Sequence, residues 1–135
     1  MTLSVLLVDD NPFFLRILDQ FLSERREGDV KVVGTVMGGR DAVAQAERLR
    51  PEVILVDLKM PECSGLELLP QLRKTLPDAI LIALSLMDPD EFREDTLAAG
   101  ADGFVSKVRL ERDLIPAIQR LASREPRRGM TKREG

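Results

Sequence analysis

Five short apolar runs alternate along this chain with five longer stretches whose apolar residues recur at helical spacing. The runs fall at 3–8, 30–36, 53–57, 79–84 and 103–106. They are rich in Val, Ile and Leu, as strands buried on both faces of a parallel sheet are. Between the first two runs, Phe14, Leu15, Leu18, Phe21 and Leu22 make one apolar stripe over 13–22. Segment 40–50 repeats the pattern with Ala42, Val43, Ala46 and Leu49, and 65–76 with Leu66, Leu68, Leu69, Leu72 and Leu76. Segment 89–99 offers Phe92, Leu97 and Ala98, and 110–122 offers Leu114, Ile115, Ile118 and Leu121.

Local punctuation agrees with these elements. Asn11-Pro12 and Asp88-Pro89 each set a capping side chain before a proline at the first helical position. Ser64 and Glu67 have capping-box spacing. Gly28, Gly34 and Gly100 mark helix or strand ends. Pro70 and Pro116 fall inside helical windows, and at Pro70 the sequence predicts a kink or a short helix. Five βα units in succession imply an α/β fold, a doubly wound five-stranded parallel sheet with helices on both faces. Right-handed crossovers leave few topologies, and the flavodoxin-like order 2-1-3-4-5 sets strands 1 and 3 side by side.

Composition narrows the chemistry. With 135 residues, 44% hydrophobic and 32% charged, the chain is sized for one domain with one real core. No apolar run is long enough to span a bilayer and no signal-peptide pattern opens the chain, so a cytoplasmic protein without membrane contact is expected. The single cysteine, Cys63, has no partner for an internal disulfide. There is no histidine, which removes Ser-His and Cys-His nucleophile pairs and histidine-ligated metals. A metal here is therefore expected to be hard and oxygen-bound. Residues 124–135 carry net +3, which leaves −6 for residues 1–123. An acidic body is a poor nucleic-acid surface.

That acidity has a focus. Asp9 and Asp10 close the first apolar run, and Asp57 closes the third. Carboxylates directly after buried strands are costly unless they meet a cation or ligand. In an open α/β sheet the carboxyl ends of the strands are also where ligands bind. Strand 4 ends in Leu84-Ser85 and strand 5 in Ser106-Lys107, on the same edge. Three carboxylates, a hydroxyl and an ammonium suit phosphoryl transfer. Carboxylates hold Mg²⁺, a carboxylate can attack phosphorus, and a lysine neutralises phosphate charge. Such transfer needs positioning and charge neutralisation more than a histidine base.

The set Asp9-Asp10, Asp57, Met60-Pro61 with Gly65, Ser85 and Phe104-Val105-Ser106-Lys107 resembles the receiver domain of bacterial two-component response regulators over residues 3–122. The segments Val32-Val33-Gly34 and Ala98 to Phe104 resemble the NarL/FixJ, or LuxR-type, branch. The resemblance implies that Asp57 is the phosphoacceptor. It implies Mg²⁺ held by Asp9, Asp10 and Asp57 with the backbone carbonyl of Lys59. It implies that Ser85 and Lys107 bind the phosphoryl group and that Phe104 is an aromatic switch turning inward when Ser85 moves. The implied partners are a cognate histidine kinase and, once phosphorylated, a second copy of the chain. Output is expected through the face made by helix 4, strand 5 and helix 5.

Two departures from the family pattern stand beside this site. Val108 follows Lys107 where the family usually has a proline with a cis bond. Lys59 lies two residues past Asp57, from where its side chain can overhang a phosphoryl group and hinder the hydrolytic water. After residue 123 the composition becomes that of a linker, and Met130 to Glu134 resembles the start of a LuxR-type helix-turn-helix domain. The expected organisation is a receiver over 1–123 and a basic linker over 124–135, leading into a missing helix-turn-helix output domain. DNA is then contacted only through that domain. Two other readings remain. One is a small aspartate-nucleophile phosphatase, for which Lys59 occupies the place of a second aspartate. The other is a contact-only module that is never phosphorylated.

Overall fold

The computed structural model describes residues 2–24, 30–60, 64–86 and 89–124, the last segment without the side chains of 89–92. Five strands form: β1 (Leu3–Val8), β2 (Val30–Val36), β3 (Val53–Asp57), β4 (Ile80–Ser85) and β5 (Gly103–Ser106). They make one parallel sheet in the order β2-β1-β3-β4-β5, the expected doubly wound topology. Five helices alternate with them: α1 (Pro12–Ser23), α2 (Ala42–Leu49), α3 (Gly65–Thr75), α4 (Pro89–Ala98) and α5 (Leu110–Ala122).

The near-continuous apolar strands are explained by cores on both faces of the sheet. Side chains alternate along each strand. Val5, Leu7, Val53, Leu55, Ile82, Leu84 and Val105 pack under α1 and α5. Leu6, Val8, Ile54, Val56, Leu81, Ala83 and Phe104 pack under α2 and α3. The helix stripes meet them with Leu15, Leu18 and Leu22, with Leu68, Leu69 and Leu72, and with Leu114, Ile115, Ile118 and Leu121. Burying one such side chain stabilises the fold by ~1.5–3 kcal/mol, far above any single surface contact.

Caps form where the sequence places them. Asn11 accepts from the backbone N–H groups of Phe13 and Phe14, and Ser64 accepts from that of Glu67. Gly100 takes a left-handed φ of 124° just beyond α4, a conformation that favours glycine. Gly28, Pro61, Cys63, Asp88 and residues 125–135 lie outside the described residues.

Three expectations change. Gly34 does not end a strand. It lies within β2 at a register shift against β1, where an added Cβ would come within 2.8 Å of Leu49. At Pro70, α3 continues without a break through Thr75. Pro70 is exposed, so water can satisfy the carbonyl that loses its partner, while buried Leu68, Leu69 and Leu72 hold the helix to the sheet. In α4, Leu97 and Ala98 are exposed, and Thr96 is the buried residue instead. This helix is the least amphipathic of the five, so its spacing gave poor guidance to its buried face. After β5 the chain passes directly into a 3₁₀ turn over Lys107–Arg109 before α5 begins at Leu110, as expected. Val108, unlike a proline, has an N–H, and Ser106 Oγ accepts it at 3.2 Å.

Candidate functional site

Register brings the acidic strand ends together. Val8 pairs with Val56 across β1 and β3, so Asp9 and Asp57 emerge side by side. Asp57 pairs with Leu84, and Ser85 pairs with Ser106, so Ser85 and Lys107 reach the same edge. Carboxylate oxygens of Asp9, Asp10 and Asp57 lie within 4.8 Å of one another. Asp9 is 2% exposed and Asp57 4%, while Asp10 sits nearer solvent.

Lys107 bridges this cluster. Its Nζ lies 2.8 Å from Asp9 Oδ2 and 3.2 Å from Asp57 Oδ1, with its side chain 10% exposed. The other Asp9 oxygen accepts from the Asn11 backbone N–H at 2.9 Å. The Lys59 backbone N–H lies a long 3.4 Å from Asp57 Oδ1, and the Lys59 side chain is exposed. Burial pushes the Asp57 carboxyl up to about 6, and the neighbouring Asp9 charge adds to the rise against the opposing pull of Lys107. One ammonium thus pairs with two of the three clustered carboxylates, and the pocket retains negative charge. Hard oxygen donors clustered in this way fit a small divalent cation, which would share or take over the place of Lys107.

Ser85 is buried at the end of β4. Phe104 is also buried, its ring in the core with Leu58, Met60, Ala83 and Ala101. All the side chains singled out for the site therefore lie at or just behind one edge of the sheet.

Sequence reasoning misses the role of one residue and the physical cause of another. The Phe14 ring lies under the Lys107 ammonium, 4.2 Å from its centroid, whereas helical spacing read Phe14 only as part of a core stripe. Gly65 belongs to the sequence motif, and the structure supplies the reason for it. A Cβ there would approach the Asp57 carbonyl oxygen to 2.5 Å and Leu58 Cα to 2.7 Å. The start of α3 is thus pressed against the strand end that carries Asp57, and only glycine fits.

A family model for the response regulator receiver domain matches residues 5–119. The chain belongs to the response regulator receiver family. This receiver is 32% identical over 125 residues to the response regulator protein VraR of Staphylococcus aureus, covering 93% of this chain and 59% of that protein. Its structure resembles a LuxR-family two-component response regulator from an Aurantimonas species, with TM-score 0.84 and 25% identity over 93% of this chain and 89% of that one. It also resembles the signal receiver domain of NarL from Mycobacterium tuberculosis, with TM-score 0.80 and 27% identity over 91% and 98% of the two chains. These similarities bear out the NarL/FixJ, LuxR-type branch. The receiver is a signalling protein rather than an enzyme of the usual kind. It spans about three fifths of the length of the curated relatives it matches. Among the described residues no helix is long and apolar enough to cross a membrane.

Proposed function

We propose that this receiver is a phosphorylation-dependent switch in which Asp57 accepts a phosphoryl group from a histidine kinase. The observation that carries the reading is the buried Asp57 carboxylate, with Lys107 Nζ at 3.2 Å and the Asp9 and Asp10 oxygens beside it. In the transfer, an Asp57 oxygen forms a bond to phosphorus while the bond from phosphorus to the kinase's imidazole nitrogen breaks. That nitrogen keeps the electron pair. Asp9, Asp10 and Asp57, with the Lys59 backbone carbonyl, would hold Mg²⁺, which neutralises phosphoryl oxygen charge when bound. Lys107 pairs with a phosphoryl oxygen, and Ser85 donates its hydroxyl to another.

The exposed Lys59 side chain overhangs the phosphoryl group and slows attack by water. Movement of Ser85 and the Phe104 ring biases a two-state equilibrium that reshapes the face of α4, β5 and α5. Phe104, already buried in this structure, serves as the element whose packing that equilibrium alters. The receiver occupies residues 1–123, and 124–135 is a basic linker to a DNA-binding output domain, in a cytoplasmic regulator that dimerises when phosphorylated. VraR, as a response regulator protein longer than this chain, supports that organisation.

Incubation with acetyl phosphate and Mg²⁺, followed by intact mass, tests the reading. One added phosphoryl group is expected, absent without Mg²⁺ and absent in Asp57→Asn. No adduct with any small phosphodonor would leave a contact-only module. After the donor is removed, Lys59→Asn should lose the group faster than wild type. An equal or slower loss removes the role given to Lys59.

A further inference from the structure

We infer that Phe14 is a positioning residue for Lys107, its ring holding the ammonium over Asp57 for phosphoryl transfer. The inference rests on the switch reading above. A lysine head is a point charge on a flexible stem, and its ion-pair partners here are the carboxylates of Asp9 and Asp57. Both carboxylates change partners in the proposed reaction. Asp57 becomes bonded to phosphorus, and Asp9 would hold the divalent cation. Neither can hold the ammonium in place throughout. The Phe14 ring can, because its attraction for a cation is independent of those exchanges.

The geometry supports that role from several directions. Lys107 Nζ lies 4.2 Å from the ring centroid, inside the range of a cation–π contact. Its side chain is 10% exposed, so water competes weakly. The ring itself is fixed from below and from its own backbone. Phe14 packs on the core beneath α1, and its N–H donates to Asn11 Oδ1 at 3.2 Å. The Asn11 N–H donates in turn to Asp9 at 2.9 Å, and Asp9 is the carboxylate nearest the ammonium. The start of α1 therefore ties together the ring, the acidic pair and the lysine. On the far side, Ser106 Oγ holds the Val108 N–H and fixes the backbone that carries Lys107.

The test compares Phe14→Leu and Phe14→Tyr in the 135-residue chain, phosphorylated by acetyl phosphate with Mg²⁺ and followed by intact mass. In that reaction an Asp57 oxygen bonds to phosphorus and acetate leaves with the electron pair. Phe14→Leu, which keeps an apolar side chain but loses the ring, should stay folded, with a modestly lower thermal midpoint, and react about fivefold more slowly. Phe14→Tyr should restore most of the lost rate. By NMR the Lys107 ε-methylene protons should show an upfield ring-current shift in wild type and Phe14→Tyr, lost in Phe14→Leu. If Phe14→Leu folds poorly, Phe14→Met supplies the same comparison. Equal rates for wild type and the ringless variant overturn the inference while leaving the switch reading intact, as does a tyrosine variant as slow as leucine. A wild-type chain that takes no phosphoryl group overturns the switch reading and this inference with it.

Discussion

Asp57 is held where its own charge is unwelcome. With its carboxyl raised from 3.8 to about 6, the group favours the protonated form in the folded protein more than in the unfolded chain. Its contribution to stability is therefore full below about pH 4 and is lost as pH rises through about 6. A rise to about 6 corresponds to at most ~3 kcal/mol. Metal-free Asp57→Asn is thus expected to be more stable than wild type at pH 7.5, by ~1–3 kcal/mol. The gap should close near pH 4 and shrink when Mg²⁺ is added. Thermal melts of both proteins in chelator across that range check this, and superimposable curves would show the carboxylate is not penalised. The same strain favours function, because a carboxylate that lacks compensating charge gains from the arrival of a cation. Asp9, Asp10, Asp57, Ser85 and Lys107 were all legible in the sequence because each directly follows or ends a buried run. Phe14 was not, since an aromatic at helical spacing has the same pattern whether or not a cation sits on it.

Among the elements, α1 and α4 contrast. The α1 helix has an Asn11 cap, Pro12 at its start and Leu15, Leu18 and Leu22 buried along one stripe, so pattern and packing agree. The α4 helix buries Thr96 completely while Leu97 stays 42% exposed, and Thr96 Oγ1 has no hydrogen-bond partner among the described residues. A buried unpaired hydroxyl costs ~1–3 kcal/mol. Thr96→Val keeps the shape and removes that cost, so chemical denaturation should show a gain of ~1 kcal/mol with an unchanged slope. A loss of stability would mean that the hydroxyl has a partner after all. An element docked with this internal cost is suited to repacking, which is the behaviour proposed for the α4, β5 and α5 face. The α4 stripe misled because a hydroxyl was not counted as core, and only contact with β5 decides which side of a weakly patterned helix is buried. Pro70 misled for a related reason, since local propensity yields when neighbouring residues bury against a sheet.

Across the whole molecule, the two ends of the sheet do different work. The carboxyl ends of the strands hold the acidic site. Near the other end, Arg73 from α3 binds the carbonyls of Gly100, Pro77 and Ala79 and the carboxylate of Asp102. Asp102 also accepts from the Leu81 N–H at 2.9 Å, which anchors the approach to β5. Removing the guanidinium would leave a nearly buried carboxylate and three carbonyls short of a donor. Arg73→Ala should therefore lose ~3 kcal/mol of stability, with Arg73→Lys recovering only part. Denaturant midpoints measure this, and a loss below ~1 kcal/mol would show that solvent replaces the arginine. The order of elements, the sheet topology and the acidic strand ends were determined by the sequence alone, because burial on both faces demands unbroken apolar runs and puts any charge at their ends. Only the tertiary structure decided which groups touch. The register of Val8 with Val56 sets Asp9 beside Asp57, and the closeness of α3 makes glycine necessary at position 65. The packing of α1 brings Phe14 under Lys107. Those contacts join residues as far apart as 9 and 107, and no local pattern records a distance across the fold.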